Sequence, residues 1–462
     1  MLNHNQTSDK GWEYPLLVRL HFYAGLLVGT FIFIAALSGA LFALTPQIEN
    51  WLYQTELTAV QAGEHRPLAA QVEVAREAIG EHAVLSAVRP APAPGQTTRV
   101  MFSVDGLAPS EHQAIFVDPT TLKVRGSLAV YGTSGTLPFR IWIDYLHRQL
   151  HLGEVGRYYS ELAASWLWLV ALGGVLLWWH RRGQNRAAKA EGARGRLRRW
   201  HSTLGVILCV ALVFFSVTGL TWSKWAGANI ASLRAQLDWS TPGLSTSLSP
   251  GNTGSELSHH EGHHAESPRL TMLTDRPALF DEMLARARSA GIDAALLEIR
   301  PAADADSAWV VKEIDRRWPT QVDAVAIDPR SMTVVDKQVF EEFPLAAKLT
   351  RWGIDAHMGI LFGWPNQLFV AACALALCVL VALGYRMWWL RRPALNSRVS
   401  ADPKRVMTHL RKASPIAMLA MTIVAFMLGI FAPVMGVSLL IFLLIDAWLG
   451  QRSIPTQPVL ME

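Results

Sequence analysis

Histidines are the side chains of this chain best suited to chemistry, because two pairs of them recur in matching surroundings. His21 and His201 each open a long apolar run, two residues after an arginine. His147 and His357 each precede another apolar run and are followed six residues later by a glycine. An ionisable side chain at membrane depth is costly and needs a reason such as ligation. A histidine near a helix end can instead reach the headgroups, so each residue taken alone leaves both interpretations open.

An internal repeat accounts for the matching surroundings. His21 matches His201 at an offset of 180 residues, and His147 matches His357 at an offset of 210. The difference of 30 predicts an insertion, assigned to residues 240–268, which are rich in Ser, Gly and His and typical of a flexible loop. Each half runs out across the membrane and back, which predicts parallel repeats about an axis along the membrane normal.

The repeat axis predicts which histidines meet. It would bring His21 and His201 face to face near the cytoplasmic ends of their helices, a geometry for bis-imidazole ligation of a haem b iron. His147 and His357 would form a second pair near the external face, and one haem near each face suits transmembrane electron transfer. For His147 and His357 an ordinary interfacial position remains the alternative. No residue is assigned a catalytic role.

Other histidines are weaker candidates as metal ligands. They are His151 and His180 beside the apolar runs and, in the inserted loop, His259, His260, His263 and His264. A solvated histidine-rich linker is preferred for the loop, since no rigid frame fixes a coordination geometry there.

Long apolar runs must position these histidines. Hydrophobic residues make up 51% of the chain and charged ones 17%, whereas soluble domains carry about a quarter charged residues. A transmembrane helix needs about 20 apolar residues. Four runs meet this length, and residues 415–449 are long enough for two short helices joined at a tight turn, so six spans are expected. The four runs are residues 16–44, 162–179, 200–222 and 368–389.

Basic loops predict the orientation of the spans. Residues 181–199 hold eight Lys or Arg against one acid, and residues 391–412 hold seven against one. Such an excess in short loops marks the cytoplasmic side. Both termini are therefore expected in the cytoplasm, and residues 45–161 and 223–366 outside. Because the cations lie in these loops, no nucleic-acid partner is expected.

The two external segments are predicted to be small α+β modules. The first has a helical pattern at residues 67–79 and strand patterns at 83–88, 99–104 and 113–117; the second repeats them at 276–290, 295–299, 308–312 and 324–327. Neither segment carries a carboxylate pair or a nucleophile–base spacing, which favours binding or regulation there. No Gly-rich nucleotide motif is present either, so if electrons enter from the cytoplasm, another molecule, a cytoplasmic protein or a quinol, is expected to bring them.

These motifs together resemble the PepSY-associated transmembrane family, in particular its iron-regulated ferric-siderophore reductase-like members. The resemblance covers essentially the whole chain and includes two Asp-Pro turns and a terminal hairpin ending at Asp446. Its main segments are Arg19–Gly25 (RLHFYAG), Leu146-His147 with Leu152–Arg157 (LGEVGR), Trp200–Gly205 (WHSTLG) and His357–Gly363 (HMGILFG).

The resemblance implies a protein of the bacterial inner membrane with PepSY modules in the periplasm and a di-haem core that reduces ferric chelates. Carried over by position, the ligands of two haem b groups would be His21, His201, His147 and His357. The substrate would be a ferric siderophore or another ferric chelate; the inserted loop departs from the family pattern and leaves its identity open. The rival hypothesis is a non-enzymatic membrane regulator whose modules bind a partner and whose histidines are structural.

The expected fold is thus a membrane all-α bundle of about six transmembrane helices in two parallel repeats, with two small periplasmic PepSY-like modules. The predicted segments are 1–45 (first span), 46–138 (module), 139–180 (histidine segment and second span), 181–199 (basic loop), 200–222 (third span), 223–345 (module with insertion 240–268), 346–390 (histidine segment and fourth span), 391–412 (basic loop), 413–450 (hairpin) and 451–462 (tail).

Overall fold

The computed structural model describes residues 11–60, 63–80, 82–108, 110–132, 135–182, 192–249, 276–390, 406, 410 and 412–451. The chain divides into two compact units. The bundle unit comprises Met1–Ala40, Tyr145–Gln236 and Ala371–Glu462, and the sheet unit comprises Leu41–Asp144 and Leu237–Val370.

Among the residues that the structure describes, four helices are long and apolar enough to cross a membrane. They are α2 (Gly29–Leu52), α6 (Gly153–Arg182), α7 (Ala193–Leu220) and α11 (Trp364–Trp389). Three of them contain one of the expected spans or most of it. The first expected span, residues 16–44, covers most of α1 (Glu13–Leu27) and the first part of α2; the two helices are separated only by Val28, a residue in right-handed helical conformation. The other helices named among the described residues are α3 (Gln54–Leu57), α4 (Leu68–Ile79), α5 (Pro138–Gln149), α8 (Trp225–Gln236), α9 (Ala278–Ser289) and α10 (Leu345–His357).

The predicted terminal hairpin is present as two shorter apolar helices, α12 (Pro415–Phe431) and α13 (Pro433–Gln451). Their turn is tight: a side chain at Gly436 would lie 2.5 Å from the Cα of Gly429. Within the bundle unit, Trp166 Nε1 donates to Ser438 Oγ at 2.9 Å, which attaches α13 to α6. That these two helices cross the bilayer stays a prediction, and with it the total of six spans.

The sheet unit contains one eight-stranded antiparallel sheet in the order β4-β3-β2-β1-β5-β6-β7-β8. The strands are β1 (Val84–Arg89), β2 (Thr98–Ser103), β3 (Glu111–Val117), β4 (Val124–Tyr131), β5 (Leu297–Arg300), β6 (Trp309–Glu313), β7 (Ala324–Ile327) and β8 (Val334–Gln338). Helices α4 and α9 cover one face, where the side chains of Val88, Ile299 and Trp309 are buried in a shared core. The predicted helices and six predicted strands lie where expected, within a few residues.

The two predicted α+β modules share one sheet. Strands β1 and β5 pair through Val88 and Ile299, so the two halves form a single sheet with one core. The edge strands β4 and β8 were not predicted. Both strands that meet at the centre bury apolar side chains on the covered face, and joining them removes two exposed sheet edges.

Residues 240–249, the described part of the predicted inserted loop, form no helix or strand but contact the sheet. Leu244 is buried against the sheet, and the backbone of Leu248 donates to the carbonyl of Asp306 at 2.8 Å. In the first half, Ala59 makes the same contact with Gly95 at 2.9 Å. Leu248 therefore corresponds to Ala59 in its contact with the sheet. Residues 250–268, with His259, His260, His263 and His264, lie outside the described residues.

Candidate functional site

His21 on α1 and His201 on α7 meet inside the bundle unit, as predicted from the repeat. Their ring centroids are 6.4 Å apart and the ring planes are nearly perpendicular, at 83°. Both rings are only partly exposed. Two imidazoles at this separation can share one metal centre between them.

His201 is oriented by the backbone of α11. Its Nδ1 lies 3.0 Å from the carbonyl oxygen of Leu380. A carbonyl can only accept, so this bond places the proton on Nδ1 and leaves the lone pair of Nε2 for a metal. Gly384 on the same helix lies against the ring, where a side chain would come within 3.6 Å of Cε1.

His21 has a matching environment on α6. A side chain at Gly174 would lie 3.2 Å from its Cε1, so only glycine leaves full room for the ring. Gly174 and Gly384 are counterparts at the offset of 210. The Nδ1 of His21 is buried. Each ring is thus packed against a glycine, and the Leu380 carbonyl orients His201 in addition.

His147 lies in the last turn of α5 and is held by two contacts within the bundle unit. Its Nδ1 is 3.0 Å from Ser38 Oγ, and its backbone carbonyl accepts a 2.8 Å hydrogen bond from Tyr159. Ser38 Oγ donates to the carbonyl of Ile34 at 2.7 Å, so it accepts from Nδ1 of His147. This again leaves Nε2 for a metal. Gly39 lies against the same ring, 3.2 Å from where its side chain would begin.

His357 is the last residue of α10, in the sheet unit. It is followed by Gly359 and Gly363, both with positive φ, as His147 is followed by Gly153 with φ 58°. The predicted glycine turns are thus present after both histidines. His147 and His357 belong to different compact units, and their pairing stays a prediction.

The weaker candidates occupy ordinary surroundings. His151 sits in the turn between α5 and α6 with φ 55°, its ring 6.2 Å from that of Tyr145. His180 stacks on Tyr14 at 4.3 Å and is exposed. Among the residues that the structure describes, no group of three or more His, Cys, Asp or Glu side chains is placed to hold a metal ion.

One buried acid in a membrane helix was missed by the sequence analysis. Glu161 on α6 is fully buried and accepts hydrogen bonds from the backbone nitrogens of Trp225 and Ala226, at 2.9 and 3.2 Å. It caps the first turn of α8, where the helix dipole favours a negative charge. Its position one residue before the predicted span was the available signal.

Comparison with known proteins supports the resemblance drawn from the motifs. A search of curated proteins finds no match. The sequence matches the family model described as the PepSY-associated TM region over residues 18–391, which includes the four histidines of both pairs. The chain belongs to the PepSY-associated transmembrane family.

Proposed function

We propose that this protein is a haem-containing electron-transfer protein of the bacterial inner membrane that reduces a ferric chelate, such as a ferric siderophore, on the periplasmic side. The observation that carries the proposal is the His21–His201 pair. It lies between apolar helices of a family of membrane proteins, and each member packs on a glycine related by the repeat.

The distance between the two rings would let both of them hold one haem iron. Two imidazole nitrogens bound to one iron at about 2 Å each would hold their ring centroids roughly 6 Å apart. The 6.4 Å separation agrees with this. When bound, haem supplies one-electron chemistry with a potential set by its axial ligands and surroundings. The chain supplies the Leu380 carbonyl that orients His201 and the apolar walls that exclude water.

A second pair, His147 and His357, is proposed as the ligands nearer the substrate. Two observations support this. The Nδ1 of His147, like that of His201, takes part in a hydrogen bond that leaves Nε2 for a metal. His147 and His357 both precede glycine turns. The basic loops at residues 181–199 and 391–412 favour a cytoplasmic position for the His21–His201 end of the bundle. The electron donor would then be a cytoplasmic protein or a quinol.

Reduction would serve iron release. Hard oxygen ligands of a chelate hold the ferric ion more strongly than the softer ferrous ion, so a one-electron reduction weakens the complex. The substrate's iron gains the electron and its ligands then dissociate.

Rapid-mixing kinetics test this function. Protein reduced under anaerobic conditions should be reoxidised by a ferric chelate, with ferrous iron trapped by a ferrous-specific chelator. His357→Ala should slow reoxidation on the order of tenfold or more, while His180→Ala should react like the wild type. Equal rates for all three proteins, or reoxidation only from the cytoplasmic face of oriented vesicles, would contradict the proposal. A colourless wild-type protein would favour the membrane-regulator hypothesis instead.

A further inference from the structure

The face of the sheet opposite α4 and α9 carries a concentration of basic side chains within the sheet unit. Along β1, β2, β5 and β6, alternate residues point away from the helices, and several of them are charged. We define the basic cluster as Arg89, Arg99, Arg140, Arg300, Lys312, Arg316 and Arg351, with the carboxylates Glu49, Glu298 and Asp355.

Glu298 lies at the centre of this face and is completely buried. Its Oε2 accepts from Arg89 at 2.5 and 2.7 Å, and its Oε1 accepts from Arg300 at 2.6 Å. Lys312, directly opposite Glu298 on the next strand, lies 3.6 Å from the same oxygen. One carboxylate therefore serves three cations.

Asp355 on α10 is equally buried and serves two cations. It forms ion pairs with Arg316 and, at 3.2 Å, with Arg351. Glu49 pairs with Arg140, whose Nε lies 3.5 Å away.

Arg99 completes the cluster. It lies opposite Arg89 in the sheet, donates to the carbonyl of Gly135 at 3.1 Å and covers the ring of Phe116. Arg140 acts electrostatically on Arg99. Arg316 acts electrostatically on Arg140, and Arg351 acts electrostatically on Lys312. The seven cations therefore form one group.

Seven cations against three carboxylates leave an excess of four positive charges. Concentrated like charges with low-dielectric walls produce a strong positive potential. Burial, and after it the neighbouring charge of Arg300, lowers the pKa of Lys312 to about 8; burial, and after it the charge of Arg89, lowers the pKa of Arg99 to about 10. The most exposed cations are Arg300 and Arg351, with 36% and 28% of their side chains accessible, whereas Arg89 and Arg316 are buried.

We infer that the basic cluster binds the carboxylate groups of an anionic ligand and that, resting on the proposed function, this ligand is a ferric chelate with net negative charge. Guanidinium groups hold carboxylates through paired, charge-assisted hydrogen bonds. Glu49, Glu298 and Asp355 balance only three of the seven positive charges. A ligand carrying several carboxylates would neutralise the rest.

The test is calorimetric titration of the intact purified protein with gallium citrate, a tricarboxylate complex that accepts no electron. The wild type should bind it saturably at low salt and more weakly at about 0.5 M salt, where charge interactions are screened within a few ångströms. Lys312→Gln and Arg99→Gln should each weaken binding about tenfold. Lys123→Gln, an equal loss of charge at an exposed position of the same unit, should not.

Two results would overturn the inference: no saturable binding to the wild type, or equal binding by all variants. A Lys312→Gln protein that loses haem but keeps its affinity for gallium citrate would assign the cluster to haem propionates, which also overturns it. If Lys312→Gln does not fold, Arg300→Gln replaces it. Because the titration needs no electron transfer, a haem-free wild type that binds gallium citrate would keep this site and refute the proposed function alone.

Discussion

The internal repeat is preserved to different extents in the two compact units. In the bundle unit the functional side chains follow the repeat: His21 matches His201, and Gly174 matches Gly384. In the sheet unit only the backbone follows it. Val88 pairs with its own counterpart Ile299 at an offset of 211, and Arg89 and Arg300 are counterparts across that centre.

The other charges of the sheet break the symmetry. At the offset of 211, Arg99 corresponds to Val310 and Lys312 corresponds to Met101, while Glu298 corresponds to Ala87. A ligand held equally by both halves, such as a metal centre with two axial histidines, requires matched residues. A site that recognises an unsymmetrical molecule does not, and the charges of the sheet face are not duplicated by the repeat.

The largest expected effect is in the matched pair. His201→Ala should remove about one haem of the two that four histidines can ligate, because the oriented ligand and its proton on Nδ1 are both lost. His180→Ala, at an exposed position, is the control. Haem per protein, measured as the pyridine haemochrome, checks this. Full haem content in His201→Ala would mean that His201 is not a haem ligand, although it matches His21 in the repeat.

Removing the central acid of the sheet should be nearly as severe. Glu298→Ala would leave Arg89, Arg300 and Lys312 around a buried site without their carboxylate, which should cost about 3–5 kcal/mol. Hydrogen exchange at the β5 amides measures the free energy of local opening. Glu77→Ala, on the exposed side of α4, should leave it unchanged. An unchanged opening free energy for Glu298→Ala would mean that the cluster does not depend on this acid.

Glycine substitutions should reveal a smaller asymmetry inside the matched pair. Gly174→Ala would place a methyl group 3.2 Å from Cε1 of His21, tighter than ordinary contact, whereas Gly384→Ala would approach His201 at 3.6 Å. Overpacking of this kind costs about 1–3 kcal/mol. Gly174→Ala should therefore lower haem occupancy or broaden the low-spin spectrum, and Gly384→Ala should not. Equal effects would show that both rings adjust alike.

The smallest effect is a pH dependence of the sheet. The folded pKa of Lys312, about 8, lies below its ordinary value of 10.5, so the unfolded chain binds its proton more tightly. Stability should therefore rise with pH between these two values and be lowest, for this group, below pH 8. Lys312→Met should abolish that rise in exchange-derived stability, whereas Lys123→Met should keep it. A rise that persists in Lys312→Met would assign it to other groups.

The sequence predicted the helices and the meeting of His21 with His201 because periodic apolar runs and a repeat are local or countable features. It did not predict β4 and β8, which are edge strands: β4 carries Gly126 and buries only Val130, and β8 contains Asp336 and Lys337. Charged edge strands lack the alternation that identifies a half-buried strand.

Tertiary context explains the remaining errors. The pairing of β1 with β5 joins strands some 210 residues apart, which no local pattern encodes. Composition predicted a loop at residues 240–249; its contact with the sheet depends on Leu244 and Leu248, two apolar residues that no periodic pattern connects. The basic cluster escaped notice because Arg89, Arg99 and Lys312 alternate with apolar residues, which is also typical of a solvated face.

The most direct test of the central claim is the haem content of the purified wild-type protein. We expect about two haem b groups per chain, both low-spin with bis-histidine ligation, by pyridine haemochrome and electron paramagnetic resonance. In His21→Ala, the same measurements should find one of these signals missing and the other unchanged. A wild-type protein that is folded in the membrane and contains no haem would contradict the account.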